Sequence, residues 1–363
     1  MKIEIVRWVL VFVSAVAGGC VALLLLNRRL LLMQDSKIKV PMIFLILAVL
    51  EVSFIMAGLI LPVIPWAYVL LVVFLFFFTG EVHRVVHRCS CAGSQPVDAI
   101  SHTGKVLRPF TTTDIVVHRF RTAIPEWHGS MLRIVHLSDL HVNPGLSFDY
   151  YSNVLNLVRH VQPDLVVMTG DFVTNVKDVD ILGDVLQLFN KCNTVAVLGN
   201  HDYWAGADAV REVIRKAGIA LLTDDTVRLQ IKNGVVQITG CDTPWGKAPC
   251  VVPESPDGVL RIVLSHTPDN IYRISKQFAH MVFSGHNHAG QIRIPFIGSV
   301  VVPSVYGRRF DHGHFIVHGT HLFVTSGVGA SSPPIRLYCH PDIFVVDVIG
   351  VEDEGAKKGG SLW

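Results

Sequence analysis

Charge is what this sequence has least of. Asp, Glu, Lys and Arg make up 17% of its 363 residues, where a soluble globular domain carries about 25%. Mean hydropathy is +0.45, so an ordinary cytosolic globule is excluded. Neither sign of charge dominates, since the formal net charge is +2. The pI of 8.2 falls short of the value above ~9 that marks an electrostatic nucleic-acid binder. No element that reads RNA or DNA is visible, and no nucleic-acid partner is expected. Half the residues are hydrophobic, which excludes a disordered chain. Paired cysteines are lacking too. The seven present (Cys20, Cys89, Cys91, Cys192, Cys241, Cys250, Cys339) are odd in number and scattered, unlike a secreted disulfide framework. They point to a reducing compartment. At ~150 residues per domain the length allows two or three units.

What is abundant is apolar sequence at the front. Residues 8–26 hold nineteen positions without a charge, enough to cross a bilayer as a helix. Asn27, Arg28 and Arg29 follow rather than a small-residue cleavage site, so this reads as an anchor and not a removable signal. Residues 40–80 hold one charge, Glu51. Pro62 and Pro65 divide that run into spans near 41–61 and 65–82. Arg28, Arg29, Lys37 and Lys39 lie between the first two spans, and Arg84 and Arg88 follow the third. The positive-inside rule then puts the first loop and everything beyond 82 in the cytosol, with the N-terminus outside. The expected location is the cell membrane, multi-pass, with its catalytic part on the cytosolic side.

Glu51 is either a functional ionisable group in the membrane or a protonated carboxyl bonded to a neighbouring helix, for example through Ser14 or Ser53. In the juxtamembrane linker, 83–112, His83 and His87 share a helix face at i,i+4. With Cys89 and Cys91 they could hold zinc, or simply end an interfacial helix.

From about residue 113 the text changes to short apolar runs that end in polar clusters: RIVHLSDLHV (133–142), DLVVMTGDFV (164–173), TVAVLGNHDY (194–203), RIVLSHTPDN (261–270) and MVFSGHNHAGQ (281–291). Each opens like a strand buried on both faces. Amphipathic stretches near 148–161 and 178–190 read as helices. The spacing from Asp139 to Asp171 is 32 residues and from Asp171 to Asn200 is 29, each close to a βαβ unit of about 30. Ligands of open α/β sheets bind at the carboxyl ends of strands, so Asp139, His141, Asp171, Asn200, His201, His266, His286 and His288 should converge on one edge. Carboxylates, an amide and imidazoles without a thiolate suit Mn, Fe, Zn, Co or Ni. Two ions sharing one carboxylate would use all of the candidate ligands, the arrangement for displacement at phosphorus.

These blocks resemble the signature segments of the calcineurin-like metallophosphoesterase superfamily. The stretches GHNHAGQIRIPFIGSVVVPSVYGRRF and GTHLFVTSGVG are similar to its membrane-associated bacterial branch of YkuE- and YaeI-type phosphoesterases. The resemblance covers roughly 113–349, and departs only at Asn287 and Ala289, where Thr and Gly are commoner. It implies an α/β fold, a β-sandwich flanked by helices. It implies two divalent metal cations, with Asp171 bridging, Asp139, His141 and His288 completing site one, and Asn200, His266 and His286 completing site two. A hydroxide held between the metals would attack phosphorus. His201 would stabilise or protonate the leaving oxygen, with Asp202 fixing its tautomer.

Weaker features remain open. Arg308 and Arg309 could hold a substrate phosphate or lie in a solvated loop. His312, His314, His318 and His321 could extend the metal site or form a His-rich hairpin. The expected map is a membrane anchor over 1–82, the linker over 83–112, a catalytic domain over 113–350 and a flexible tail over 351–363. The expected function is a membrane-anchored binuclear phosphoesterase acting on a phosphoester or pyrophosphate, with a lipid-linked or nucleotide-lipid substrate attractive because the bilayer is the partner. The rivals are a non-catalytic metal-binding sensor or scaffold and a transport component built around Glu51.

Overall fold

A long apolar run becomes helix where proline falls no further in than its first turn, and three such runs open the chain. The computed structural model describes residues 2–26, 38–101, 109–189, 192–246, 248–331 and 334–350. Arg28, Arg29, Lys37, residues 102–108 of the linker and the tail beyond 350 lie outside the described residues. Two compact units divide the chain: Met1–Ser90 with Val300–Arg309, and Cys91–Ser299 with Phe310–Trp363.

In the first unit, helices α1 (Lys2–Leu25), α2 (Lys39–Ile60) and α3 (Val63–Ser90) are each long and apolar enough to cross a membrane. Leu61 is extended, as a residue before proline must be, so α2 and α3 are joined by a tight turn at Pro62. Arg7 Nη1 donates to the carbonyls of Gly58 (3.2 Å) and Leu61 (2.6 Å), satisfying acceptors that the end of α2 leaves open. Trp66 Nε1 donates to Ser14 Oγ at 2.8 Å, and Ser14 in turn donates to Leu10 O. Ser53 donates to Val49 O. Neither serine is therefore the hydrogen-bond partner expected for Glu51, whose carboxyl lies instead against Gly18.

Helix α3 does not stop near 82. Nothing between His83 and Ser90 breaks a helix, and the i,i+3 pair of Glu81 with Arg84 (2.5 Å) supports it there. His83 and His87 share its surface, with ring centroids 6.4 Å apart. Among the described residues the groups able to hold a metal do not include His83, His87, Cys89 or Cys91.

The second unit begins at Cys91, ahead of the boundary expected at 113, because residues 91–94 run along a strand of this unit: Ile316 N bonds Cys91 O, and Gly93 N bonds His314 O. Its strands are β1 (Asp98–Ser101), β2 (Val116–Ala123), β3 (Leu132–Leu137), β4 (Leu165–Thr169), β5 (Thr194–Val197), β6 (Ala220–Leu221), β7 (Thr226–Ile231), β8 (Gly234–Cys241), β9 (Val259–Ser265), β10 (Met281–Ser284), β11 (Arg293–Ile294), β12 (Gly298–Ser299), β13 (Gly313–Val317), β14 (Thr320–Val324) and β15 (Asp342–Ile349). One sheet has the order β1-β2-β15-β3-β4-β5-β6 and the other β13-β14-β10-β9-β8-β7; β11 and β12 pair alone. Strands β3 to β6 run parallel, as do β8, β9, β10 and β14. The 312–321 region is the expected His-rich hairpin, β13 turning into antiparallel β14.

Phe120, Ile134, Leu165, Val195 and Phe344 from the first sheet meet Val236, Ile262, Phe283 and Phe323 from the second in one buried core. This is the sandwich. Helices α4 (Phe148–His160), α5 (Val179–Gln187) and α6 (Asn200–Lys216) bury Val154, Leu182 and Val210 against Val135, Val166 and Ala196 on the outer face of the first sheet. Each of those three strands is thus covered on both sides, which is why it reads as a continuous apolar run. Their carboxyl ends, with those of β9 and β10, carry the polar clusters.

Candidate metal centre

Five of the sequence-derived ligands sit in left-handed backbone: Asp139 (φ 52°), His141 (42°), Asp171 (54°), His286 (66°) and His288 (46°). Such conformations cost residues with a Cβ about 1–3 kcal/mol and gather where function holds them. The surrounding ladder enforces them. Asp139 N bonds Gly170 O, His141 N bonds Asp171 O, both at 2.9 Å, and Gly329 N bonds Asp139 O at 2.7 Å. Gly285 is required by close approach, since a Cβ there would overlap Ser138 Oγ and the Asp139 carboxylate.

The side chains then converge. His288 Nε2 is 3.2 Å from Asp139 Oδ1 and 3.1 Å from His141 Nε2. Asp171 Oδ2 lies 3.6 Å from His141 Nε2 on one side and 3.2 Å from His266 Nε2 on the other. Asn200 Oδ1 approaches His266 Nε2 at 3.1 Å. Two groups able to hold a metal result, Asp139, His141, Asp171 and His288 in one, Asp171, His266 and His286 in the other, with Asp171 in both.

The electrostatics fit divalent cations. All these residues are buried, and burial holds His141 neutral, with its pKa pushed down to about 3; His288 is likewise driven well below the ordinary range. Neutral imidazole is the form that binds metal. Their Nε2 atoms face one another while His141 Nδ1 is engaged by Thr174 Oγ1 (2.9 Å). His266 Nδ1 donates to Thr169 O (2.5 Å), so Nε2 is the nitrogen turned towards Asp171 and Asn200. Burial pushes the Asp139 carboxyl up to about 7, helped by the neighbouring Asp171 charge. Burial opposes a charge on His266 too, yet the Asp171 carboxylate outweighs it and lifts that imidazole to about 9. A cavity that pushes a buried acid and a buried base alike towards their protonated forms is short of positive charge, which bound cations would supply.

The remaining expected residues fall elsewhere. His201, half-buried, packs its ring 4.8 Å from that of His141 and 4.8 Å from that of Trp204. Asp202 does not fix its tautomer. The Asp202 carboxylate is fully buried and accepts the backbone N–H groups of Phe172 (2.8 Å), Val173 (3.2 Å) and Gly199 (2.9 Å), because α6 starts there and its first turn must be capped. Arg308 Nη2 is bound by Glu81 Oε2 at 2.6 Å, and Arg309 Nη2 stands 3.3 Å from His83 Nδ1.

Two neighbours carried no signal in the sequence. Arg336, fully buried, donates to the carbonyls of Ser326, Gly327 and Gly329 and reaches His288 Nδ1 at 3.4 Å. Trp245 lays its ring 5.5 Å from that of His266 and 5.3 Å from that of His286. An Arg in an apolar loop and a lone Trp belong to no spacing rule.

Comparison of the sequence with known proteins gives the family. The calcineurin-like phosphoesterase family matches residues 132–290. The chain is 30% identical over 233 residues to an uncharacterized metallophosphoesterase of Aquifex aeolicus (strain VF5), covering 61% of this chain and 87% of that protein. It is 27% identical over 237 residues to phosphodiesterase YaeI of Escherichia coli (strain K12), covering 64% and 87%. To the uncharacterized metallophosphoesterase YkuE of Bacillus subtilis (strain 168) it is 27% identical over 222 residues, covering 59% and 77%. With the buried Asp and His groups at its strand ends, this chain belongs to the calcineurin-like metallophosphoesterases, hydrolases of phosphoester bonds.

Proposed function

We propose that the chain is a two-metal phosphoesterase held at the cell membrane by α1, α2 and α3, with its catalytic unit in the cytosol. The observation that carries the two-metal reading is the position of Asp171, one carboxylate standing in both ligand groups. Asp139, His141 and His288 would hold one cation with Asp171, and Asn200, His266 and His286 the other. The identity of the ions is left among Mn, Fe, Zn, Co and Ni by the donor set. Bound there, such a pair polarises the phosphoryl oxygens and brings the pKa of water down to about 7.

The protein's own groups supply the rest. Asp171 Oδ1 accepts the His201 backbone N–H at 2.8 Å, so the carboxylate is held in register with the residue that follows Asn200. The His201 ring, half-buried beside His141, is placed to pass a proton to the leaving oxygen. Trp204 packs on the His201 ring, and Trp245 on those of His266 and His286.

The expected substrate class is a phosphodiester or pyrophosphate on a lipid, because a membrane tether raises the effective concentration of lipid-borne substrates. Support for the cytosolic side comes from the Arg84 and Arg88 charges that follow the third span.

The test uses full-length protein in detergent. Manganese-dependent hydrolysis of bis-p-nitrophenyl phosphate should vanish in Asp171→Ala, with loss of bound metal. Activity surviving in that variant would overturn the bridged centre. Equal turnover of soluble and vesicle-borne phosphodiesters would remove the lipid assignment and leave the phosphoesterase intact.

A further inference from the structure

A third group of metal-binding side chains lies outside the Asp171 centre, and none of its members belongs to the segments that carry the family signature. His118 comes from β2, His312 from the turn leading into β13, and Asp342 from the first position of β15. Sequence separations of more than a hundred residues meet here because β15 pairs with β2, with Asp342 opposite Val116 and Phe344 opposite His118. His118, Asp342 and Phe344 therefore share one face of that strand pair.

The geometry is that of a carboxylate between two imidazoles. His312 Nε2 is 2.6 Å from Asp342 Oδ2, and His118 Nε2 is 3.9 Å from the same oxygen. His118 Nδ1 is buried without a hydrogen-bond partner. Both rings stand edge-on to Phe344, each with centroids 5.6 Å apart, which fixes their planes. The other carboxylate oxygen, Asp342 Oδ1, is held by the Thr325 hydroxyl and by Ser326 N at 3.0 Å, the kind of support that orients a metal-binding carboxylate. Asp342 is 1% exposed, while His118 and His312 retain 19% and 27% of their side-chain surface, so the two imidazoles are only partly covered.

We propose that His118, His312 and Asp342 bind a third divalent cation, of the zinc type, distinct from the pair at Asp171. Two imidazoles and one carboxylate with an open position for water suit zinc better than Ca²⁺ or Mg²⁺, which ask for oxygen cages. At bond lengths of about 2.0–2.1 Å the ligand atoms of a tetrahedral site stand roughly 3.3 Å apart. The observed 2.6 and 3.9 Å bracket that value, and all three ligand atoms lie within 4.8 Å of one another.

The site has a structural consequence. Through Oδ1, Asp342 holds the start of the 325–329 loop, whose Val328 N bonds Ser138 O (2.9 Å) and whose Gly329 N bonds Asp139 O (2.7 Å). The third cation thus braces the loop that packs on Asp139.

The test is metal counting on full-length protein in detergent, stripped with chelator, dialysed against zinc and measured by plasma mass spectrometry. His312→Ala and His118→Ala should each lower the count by about one equivalent per chain, both in the wild-type background and in Asp171→Ala. Zinc should raise the melting temperature of stripped Asp171→Ala protein and fail to do so once His312→Ala is added. An unchanged count in both histidine variants overturns the third site, whatever the count at Asp171 proves to be. A lowered count in the Asp171→Ala background sustains the third site even if the paired centre fails.

Discussion

The Asp202 carboxylate closes back on Gly199, accepting its backbone N–H at 2.9 Å. Its other oxygen accepts the N–H groups of Phe172 and Val173, which directly follow Asp171. One buried side chain therefore ties the turn that carries Asp171 to the turn that carries Asn200 and His201. It is a positioning residue, and the distance between two metal-binding loops depends on it.

Asp202→Asn should show this. An amide presents one acceptor where three N–H groups need two oxygens, so at least one buried donor is left facing an NH₂. That defect costs about 1–3 kcal/mol, read as a lowered melting temperature with weaker metal retention. The pH profile of the remaining activity should keep its shape, since Asp202 does not touch the His201 ring. A shifted profile with unchanged stability would restore Asp202 as the setter of that tautomer.

His201→Ala should lower kcat by about 10²–10⁴-fold, the range for a lost general acid, while KM and bound metal stay close to wild type. The loss should deepen with a poorer leaving group, phenyl against p-nitrophenyl, because protonation matters more there. An equal loss with both leaving groups would assign the ring to binding instead.

The five strand-end clusters were legible because a buried parallel strand is a continuous apolar run, and its ligands must follow within a few residues. That logic places Asp139, Asp171, Asn200, His266 and His286 without any tertiary information. It gives no access to groups brought in by pairing of distant strands. Asp342 meets His118 through the β2–β15 register, and Arg336 reaches His288 by threading a loop of carbonyls. The role expected for Asp202 went astray for a local reason: at a helix start, backbone donors compete for a carboxylate ahead of a neighbouring ring. The third span was expected to end near 82, where hydrophobicity ends, and the helix face read for His83 and His87 proves continuous with it, α3 running on to Ser90.

Arg308 is engaged by Glu81, which also accepts from Arg84. Arg308→Ala should therefore leave KM for bis-p-nitrophenyl phosphate unchanged. The pair is partly exposed, with 22% and 44% of the side-chain surfaces open, so it is worth at most about 1 kcal/mol. Arg308→Ala should lower the melting temperature by a small amount, Glu81→Ala by more because it also releases Arg84, and the double variant by no more than Glu81→Ala alone. A large rise in KM for Arg308→Ala alone would move the guanidinium to the substrate.

His136 makes acid stability a test of the sandwich core. Its ring is wholly buried, bonded through Nε2 to Thr169 Oγ1 at 2.8 Å and packed 5.1 Å from the Phe283 ring. Burial pushes its pKa down to about 3, against about 6.5 in an unfolded chain. The unfolded chain thus takes up this proton more readily than the folded one. Stability from keeping the ring neutral is complete above about pH 6.5 and is lost as pH falls from there towards 3, at up to about 1.4 kcal/mol per pH unit. His314, pushed down to about 3 by burial beside His321, acts in the same direction. His136→Gln keeps a polar group near Thr169 and cannot take up a proton. Melting temperatures measured from pH 7.5 down to 5 should fall less steeply in the variant than in the wild type, with the two curves approaching each other as pH drops. Parallel curves over that interval would show that His136 is not held neutral in the core.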